Sequence, residues 1–241
     1  MQDSKFLPAV ILSLALIISA TVFGSFYYSA QSVTTTDTLS VTGSTKVKVT
    51  SDKAKLTISL SRIALASTLA TGYGEIAADL TATRDLLTKE KVDAATITEN
   101  PVVVNRMYDY QNSGGELKYE LTQSVIVQSN DVTGITAISK KIPSLAASGA
   151  IVSVQSLEYY YSKLPDLRVS LLTAAVKDAA SRAAKIAEGT GRKIGNVQSA
   201  SSGVVQVLPP NSIEVSDYGS YDTSSIEKEV MVTVKASFRL Q

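Results

Sequence analysis

The chain has 241 residues, enough for one large or two small compact units, and 23 lysines and arginines against 22 acidic residues leave a net charge of +1. This balance argues against broad electrostatic binding of nucleic acid. The absence of histidine and cysteine excludes histidine-based triads, thiol nucleophiles, disulfides and the usual zinc sites. The composition therefore predicts a protein that is not an enzyme and uses no metal or cofactor.

The first predicted element is an uncharged run of 23 residues, from Phe6 to Tyr28. As a helix it would rise about 35 Å, enough to cross a hydrocarbon core of about 30 Å, and it ends in aromatic residues typical of a membrane interface. We therefore predict a membrane anchor within residues 1–30. Its apolar and aromatic residues are Phe6, Leu7, Val10, Ile11, Leu12, Leu14, Leu16, Ile17, Ile18, Val22, Phe23, Phe26, Tyr27 and Tyr28.

A cleaved signal peptide is the alternative, because Ile18–Ala20 offers a small residue at the cleavage position. The apolar run continues past that point, which favours the anchor. Lys5 before the run favours an N-terminus in the cytoplasm. In either case the rest of the chain is expected on the periplasmic or extracellular side, as a secreted form if the segment is cleaved.

Beyond a polar spacer at residues 31–38, the spacing of the apolar residues alternates between strand and helix. Strands are predicted at 39–49, with an interruption at Gly43, and at 54–61. A helix follows from Leu69, because apolar residues then recur every three or four positions. Its predicted stripe is Leu69, Tyr73, Ile76, Leu80, Thr83 and Leu87.

Two strands at 96–110 and 116–128 form a predicted hairpin around a turn of sequence QNSGG. A short helix capped by Asp131 comes next, and Pro143 is expected to kink or end it. A strand at 151–161 then follows.

The longest helix is predicted to open at Pro165 and is rich in alanine. Ser181 lies opposite its apolar stripe. Two strands at 196–208 and 226–240 follow, separated by a long polar loop. If the last strand lies at a sheet edge, it is regular enough to pair with a neighbouring chain. The predicted buried stripe of the helix is Val169, Leu172, Val176, Ala179, Ala183 and Ile186.

The order strand, long helix, strand, strand thus occurs twice, at about residues 54–128 and 150–240. We predict an α+β fold in which these two units pack as one pseudo-symmetric body, preceded by the transmembrane helix. The folded domain is predicted to span residues 39–241.

Three segments carry a resemblance to a known family. They are Val41–Gly43 with the following Val47, Asp52 and Ala54, then Val92–Thr98 (VDAATIT), then Ala175–Val197 (AVKDAASRAAKIAEGTGRKIGNV). In this order and spacing, they resemble the SIMPL domain family over nearly all of the chain beyond the anchor.

The resemblance implies an envelope protein of α+β fold. Members of that family include a periplasmic immunogenic protein that assembles into a ring-like, channel-shaped oligomer, and others are tied to oxidative stress tolerance. The family brings no agreed catalytic residues, so the resemblance implies none for this chain.

Two short motifs resemble catalytic or ligand-binding signatures. Gly189 and Gly191 follow the long helix instead of preceding one, which predicts a helix C-cap and not a phosphate-binding loop. Ser225 and Lys228 have the S-x-x-K spacing of Ser–Lys hydrolases. Because residues three apart in a strand point to opposite faces, we predict a structural role for both.

The polar loop between the last two strands contains Tyr218 and Tyr221, which are candidate contacts for a glycan or protein partner. Asp217 and Asp222 also suggest calcium, but two carboxylates fall short of the roughly six to eight oxygen ligands that this ion takes. The other tyrosine cluster, Tyr159–Tyr161, is explained by strand alternation.

We therefore predict a non-enzymatic, membrane-anchored extracytoplasmic protein of the SIMPL type. It is expected to assemble into a homo-oligomer with a role in envelope integrity or stress tolerance. The alternative is an extracytoplasmic binding module that presents its tyrosine-rich loop to a glycan or protein partner. A hydrolase that uses carboxylates or a Ser–Lys pair is a third hypothesis.

Overall fold

The computed structural model describes residues 6–32, 37–108, 115–212 and 216–241, with the side chains of the first helix described from Val10 to Tyr28. The mixed α+β class is confirmed, and the strand predicted at 39–49 runs through Gly43 without interruption. The helices are α1 (Phe6–Ser32), α2 (Leu69–Lys89), α3 (Val132–Lys141) and α4 (Leu164–Gly189). The strands are β1 (Thr38–Thr50), β2 (Lys53–Leu65), β3 (Ile97–Glu99), β4 (Val103–Met107), β5 (Lys118–Ser129), β6 (Val152–Tyr160), β7 (Ile194–Leu208), β8 (Ser220–Tyr221) and β9 (Glu227–Leu240).

The described strands form two sheets. The first sheet has the order β1-β9-β7-β8, and the second has the order β3-β5-β2-β6 with β4 also paired to β5. The predicted pseudo-symmetric repeat is not confirmed. Its second copy was expected to begin with β6, but β6 pairs with β2, the first strand of the other copy.

The chain divides into two compact units. The first unit contains the residues up to Gly43 together with Val176–Ser202 and Val234–Gln241. The second unit contains Ser44–Ala175 and Gly203–Thr233. The elements β1, α4, β7 and β9 therefore each contribute residues to both units.

The largest core of the second unit lies on one face of β2 and β5. Alternate residues of β2, namely Leu56, Ile58 and Leu60, are fully buried there, as the predicted alternation requires. Full burial of such a side chain contributes about 1.5–3 kcal/mol, so this face is a major source of stability. The helices add Ile76, Leu87, Ile135 and Ile138 to the same cluster.

The buried face of α2 differs from its predicted stripe at two positions. Tyr73 is 45% exposed and Gly72 is buried in its place, because a Cβ atom at Gly72 would lie 2.9 Å from the Cβ of Ala64. Asp79 is buried because its two carboxylate oxygens accept hydrogen bonds from Arg62 of β2, each at 2.7 Å. The predicted positions that are buried are Ile76, Thr83 and Leu87, while Leu69 and Leu80 are half-buried.

Pro101 divides the predicted strand 96–110 into β3 and β4, because proline has no N–H for the ladder. Asn100 before it is fixed to β5, with its backbone N–H 3.0 Å from the carbonyl of Ser124. The hairpin pairing is confirmed, since β4 and β5 pair antiparallel. Residues 111–114 of the predicted turn, which spans 111–115, lie outside the described residues.

The short helix α3 begins and ends as predicted. Asp131 caps it by accepting a 2.8 Å hydrogen bond from the backbone N–H of Gly134. Beyond Lys141 the α-helix changes to a 3₁₀-helix that contains Pro143, consistent with the missing proline donor. Gly149 ends that segment with φ +82°, a left-handed conformation that favours glycine.

The buried row of α4 steps by four residues, and most of its members are alanine: Leu171, Ala175, Ala179, Ala183 and Ala187. The burial predicted for Ala179 and Ala183 is confirmed. The burial predicted for Val169, Val176 and Ile186 is wrong, since these side chains are 67%, 37% and 48% exposed, and Leu172 is only half-buried. In the first unit, the small side chains of Ala179 and Ala183 pack directly against Val41, Ala236 and Phe238 of β1 and β9.

Candidate functional site

The helix α1 is exposed along its described side chains. The segment Val10–Tyr28 is long and apolar enough to cross a membrane, and it is the one such helix among the described residues. The predicted anchor side chains from Val10 to Tyr28 are 51–79% exposed. Phe6 and Leu7 belong to the helix, but their side chains lie outside the described part.

Three hydroxyl side chains of α1 bond back to their own helix. The hydroxyl of Ser13 donates to the carbonyl of Val10 at 2.9 Å, and Thr21 and Ser25 do the same one turn back. Such bonds satisfy hydroxyl groups where no water is present. By length and composition, the helix fits both a membrane anchor and a signal sequence.

The C-terminal loop, residues 209–225, is fastened to the first sheet at its second end. Its strand β8 pairs in parallel with Gln206 and Val207 of β7. The buried amide of Gln206 accepts a 3.0 Å hydrogen bond from the hydroxyl of Ser220 and donates to the carbonyl of Ser216. Residues 213–215 of the loop lie outside the description. The loop is thus held in place from Ser216 onwards.

The two tyrosines predicted as partner contacts have different environments. Tyr221 is 38% exposed, its hydroxyl accepts a 3.0 Å hydrogen bond from the backbone N–H of Tyr161, and its ring centroid is 5.9 Å from that of Tyr160. Tyr218 is 96% exposed and lies in a turn that Gly219 closes with φ +85°. Tyr221 therefore fixes the loop, and Tyr218 is the side chain that the loop presents.

A lysine is completely buried beneath this loop. The Nζ atom of Lys228 donates to the carbonyls of Asp222 and Ser225 at 2.5 and 2.6 Å and lies 3.5 Å from Oδ2 of Asp222. The Asp222 carboxylate accepts hydrogen bonds from the backbone N–H groups and hydroxyls of Ser224 and Ser225. These contacts join the end of the loop to the start of β9.

The same contacts set the ionisation of the pair. Burial alone would raise the pKa of Asp222, but the hydrogen bonds from Ser224 and Ser225 and the charge of Lys228 hold that pKa well below its ordinary value. Burial lowers the pKa of Lys228, and the charge of Asp222 partly offsets this effect. The oxygens of Asp222 are thus engaged within the protein and do not point to a cation site.

The arrangement is not that of a Ser–Lys hydrolase. Such a pair needs the lysine nitrogen within hydrogen-bond reach of the serine hydroxyl, whereas Lys228 bonds the Ser225 carbonyl and the Ser225 hydroxyl bonds Asp222. Ser225 precedes β9, so the alternation of faces along a strand, predicted for Ser225 and Lys228, does not hold at this residue. The signal that could have found the cluster was the lysine itself, because it continues the inward, otherwise apolar row of β9 that runs from Val230 to Phe238.

The glycines after α4 form a helix end, as predicted. Gly191 has φ +72°, and the N–H of Arg192 donates to the carbonyl of Ala187 at 2.8 Å. These are features of a left-handed C-cap, at the negative end of the helix dipole. The segment therefore has the wrong polarity for a phosphate-binding loop.

The open edge of the first sheet is formed by β7 and not by the last strand. β9 lies between β1 and β7, so it does not have the edge position on which its predicted pairing with a neighbouring chain depends. Among the described strands, β8 covers β7 only at Gln206 and Val207, and no described strand pairs with residues 194–201 on that side.

This open segment lacks the usual protection of a sheet edge. Edge strands commonly carry charges or proline that prevent pairing with another chain, but β7 contains neither, and residues 196–202 are exposed at every position. The opposite edge strand, β1, carries Lys46 and Lys48. The β7 edge is therefore the more suitable of the two for adding a further strand.

Comparison with protein-family models places the chain in a family. The model SIMPL, described as a protein of unknown function (DUF541), matches residues 39–238, which is more than four fifths of the chain. No curated protein matches the sequence.

Proposed function

The chain belongs to the SIMPL family, and on this premise we propose that it is a non-enzymatic, membrane-anchored extracytoplasmic protein that assembles into a homo-oligomer. Its role is in envelope integrity or stress tolerance. The open part of the β7 edge, residues 194–201, is the observation that carries the proposal, because no described strand pairs with it on that side and it carries no charge.

The helix α1 supports the location. The apolar side chains of Val10–Tyr28 are exposed, which is unfavourable in water. The length of this helical segment matches the thickness of a hydrocarbon core. An uncleaved α1 would hold several copies in one membrane plane, which raises their effective concentration and favours pairing through β7.

The pairing of β7 with the C-terminal residue shows which backbone N–H groups of β7 point towards β9 and which point to the open edge. Lys193 and Gln241 exchange two backbone hydrogen bonds, at 3.0 and 2.9 Å. Because successive N–H groups of a strand alternate between its two sides, the N–H of Val197 points towards β9 and that of Asn196 points to the open edge. Proline substitutions at these two neighbouring positions should therefore affect different properties, assembly at position 196 and folding at position 197.

We expect proline at position 196 to break the assembly while leaving the fold intact. Asn196→Pro removes one outward donor, whereas Val197→Pro removes a bond to β9 and should lower the unfolding midpoint. The measurement is the mass of the detergent-extracted full-length protein by light scattering, together with thermal unfolding. The wild type should have a mass several times that of the 25.5 kDa chain.

Two results would contradict this assembly. One is a wild-type protein that remains monomeric in mild detergent at micromolar concentration. The other is an Asn196→Pro variant that keeps both the wild-type mass and the wild-type unfolding midpoint, since β7 then makes no contact between copies.

A binding module is the second candidate function. It is favoured by the 96% exposure of Tyr218 on a loop whose neighbouring residues are fixed. A rigid, exposed aromatic side chain offers a large contact area at small entropic cost. In this alternative, the loop presents Tyr218 to a glycan or protein partner on the extracytoplasmic side.

The substitution Tyr218→Ala tests this alternative without disturbing the fold. Deleting the loop is a poorer test, because the deletion also removes the hydrogen-bond partners of the buried Lys228 and would disturb the fold. We expect Tyr218→Ala to keep the unfolding midpoint and to lose capture of the partner from an envelope extract, with Tyr108→Ala, another exposed tyrosine, as the control. Unchanged capture by Tyr218→Ala would argue against the binding-module function.

A further inference from the structure

The second sheet carries an uncharged groove on the face opposite its apolar core. The groove has a volume of about 470 Å³, and all eight of its lining residues are uncharged. Ser59 of β2 lies in the middle, with Thr122 and Ser124 of β5 on one side and Gln155 of β6 on the other. Beyond β5 the wall is formed by Asn100 and its neighbours.

The strand register places hydroxyl groups side by side along this groove. Ser59 is paired with Ser124 on β5, and both line the groove together with Thr122. Their partners Ser153 of β6 and Ser61 of β2 lie beside the groove, outside its lining. Adjacent strands are about 4.8 Å apart, so a groove that crosses four strands is about 14 Å long. Its floor is therefore a regular array of small polar groups.

A β-bulge brings the amide of Gln155 to the groove. Thr57 is paired with Ser156 and Ile58 with Val154, which leaves Gln155 as the extra residue between them. In an unbroken register Gln155 would lie opposite Ile58, on the apolar face. Bulges of this kind re-aim a side chain and are enriched next to functional sites.

Several groups in the groove have unused hydrogen-bonding capacity. Within the described part of the chain, the side chains of Ser59, Thr122 and Gln155 make no hydrogen bond, although all three line the groove. The opposite wall is fixed, since the amide of Asn100 donates to the hydroxyl of Ser124 at 2.7 Å. The groove thus combines a rigid wall with free donors and acceptors.

We propose that this groove binds a neutral saccharide chain. A charged ligand would find no counter-charge among the lining residues, and an apolar ligand would leave the free hydroxyl and amide groups without partners. A neutral polyol satisfies both conditions, because each of its hydroxyls both donates and accepts. The volume lies within the range of small-ligand sites. This site is distinct from the C-terminal loop and does not depend on assembly through β7.

The test measures binding of tri-N-acetylchitotriose, a neutral trisaccharide called chitotriose below, to the full-length protein by equilibrium dialysis. The detergent must have no sugar headgroup, because a glycoside detergent would compete. We expect saturable binding to the wild type and weaker binding of trigalacturonate, a trisaccharide with three negative charges. The substitution Gln155→Glu should weaken chitotriose binding about tenfold by placing an unpaired charge in the groove.

The matched control is Gln128→Glu, which makes the same change at an exposed position of β5 outside the groove. It should leave chitotriose binding unchanged. The proposal is overturned by an absence of saturable binding at about 10 mM chitotriose or by equal effects of the two variants. It is also overturned if Gln155→Glu changes the mass of the protein instead of its binding, since the groove is then covered by a second copy.

Discussion

Replacing Lys228 with methionine should lower the free energy of unfolding by about 3–5 kcal/mol, the usual effect of removing one partner of a buried ion pair. Methionine fills a similar volume but has no donor. The carbonyls of Asp222 and Ser225, which the ammonium group contacts at 2.5 and 2.6 Å, would lose their partner inside the protein. The Asp222 carboxylate would lose the charge that faces it.

Chemical denaturation of the two purified variants Lys228→Met and Lys235→Met checks this expectation. Lys235 lies on the same strand but is exposed, and Lys235→Met should stay within about 0.5 kcal/mol of the wild type. Lys228→Met should also release the C-terminal loop, which would make the 209–225 segment sensitive to proteolysis before global unfolding. Equal stability of the two variants would show that the buried contacts of Lys228 do not hold the loop.

The Lys228 cluster illustrates what a local reading of the sequence misses. Strand alternation correctly placed the residues from Val230 to Phe238, because burial on one face of a sheet has a period of two. Lys228 continues that inward row, and its burial depends on acceptors that the preceding bend supplies from Asp222 and Ser225. No periodicity encodes such a bend.

The buried faces predicted for α2 and α4 were partly wrong for a related reason. In α4 the apolar pattern predicts burial of the bulky side chains Val176 and Ile186, whereas the structure buries alanines at intervals of four. In α2, the buried Asp79 is stabilised by Arg62, a partner 17 residues away on another element. Hydrophobicity alone predicts which residues prefer burial. The distance between a helix and its sheet, and the pairing of distant charges, are properties of the tertiary fold.

Strand existence was easier to predict than strand order. The major strands were located to within a few residues, since alternation and turn residues are local signals. That β9 is a central strand and β7 an open edge depends on which strands pair, which no single segment specifies. The groove beside Ser59 has the same origin, because its floor comes from four strands and its amide from a bulge.

Replacing Ala179 with leucine should destabilise the protein by about 1–3 kcal/mol, because the added methylene groups have no space. Ala179 is fully buried in the first unit, and its cluster contains Ala183, Ala236 and Phe238. The alanine row allows α4 to lie directly on β1 and β9, so a longer side chain has to push the helix away from the sheet or adopt a strained rotamer. The thermal unfolding midpoint of the purified variant is the measurement.

Two control variants test whether the alanine row, and not the bulkier residues of the predicted stripe, forms the buried face of α4. Ser181→Leu makes a similar enlargement on the exposed face of α4 and should leave the unfolding midpoint nearly unchanged. Ile186→Ser removes an apolar side chain that is 48% exposed. If that residue belonged to the buried stripe, its truncation would cost several kcal/mol, whereas the observed packing predicts a much smaller loss. A large effect of Ile186→Ser together with a small effect of Ala179→Leu would therefore contradict the packing of the alanine row against the sheet.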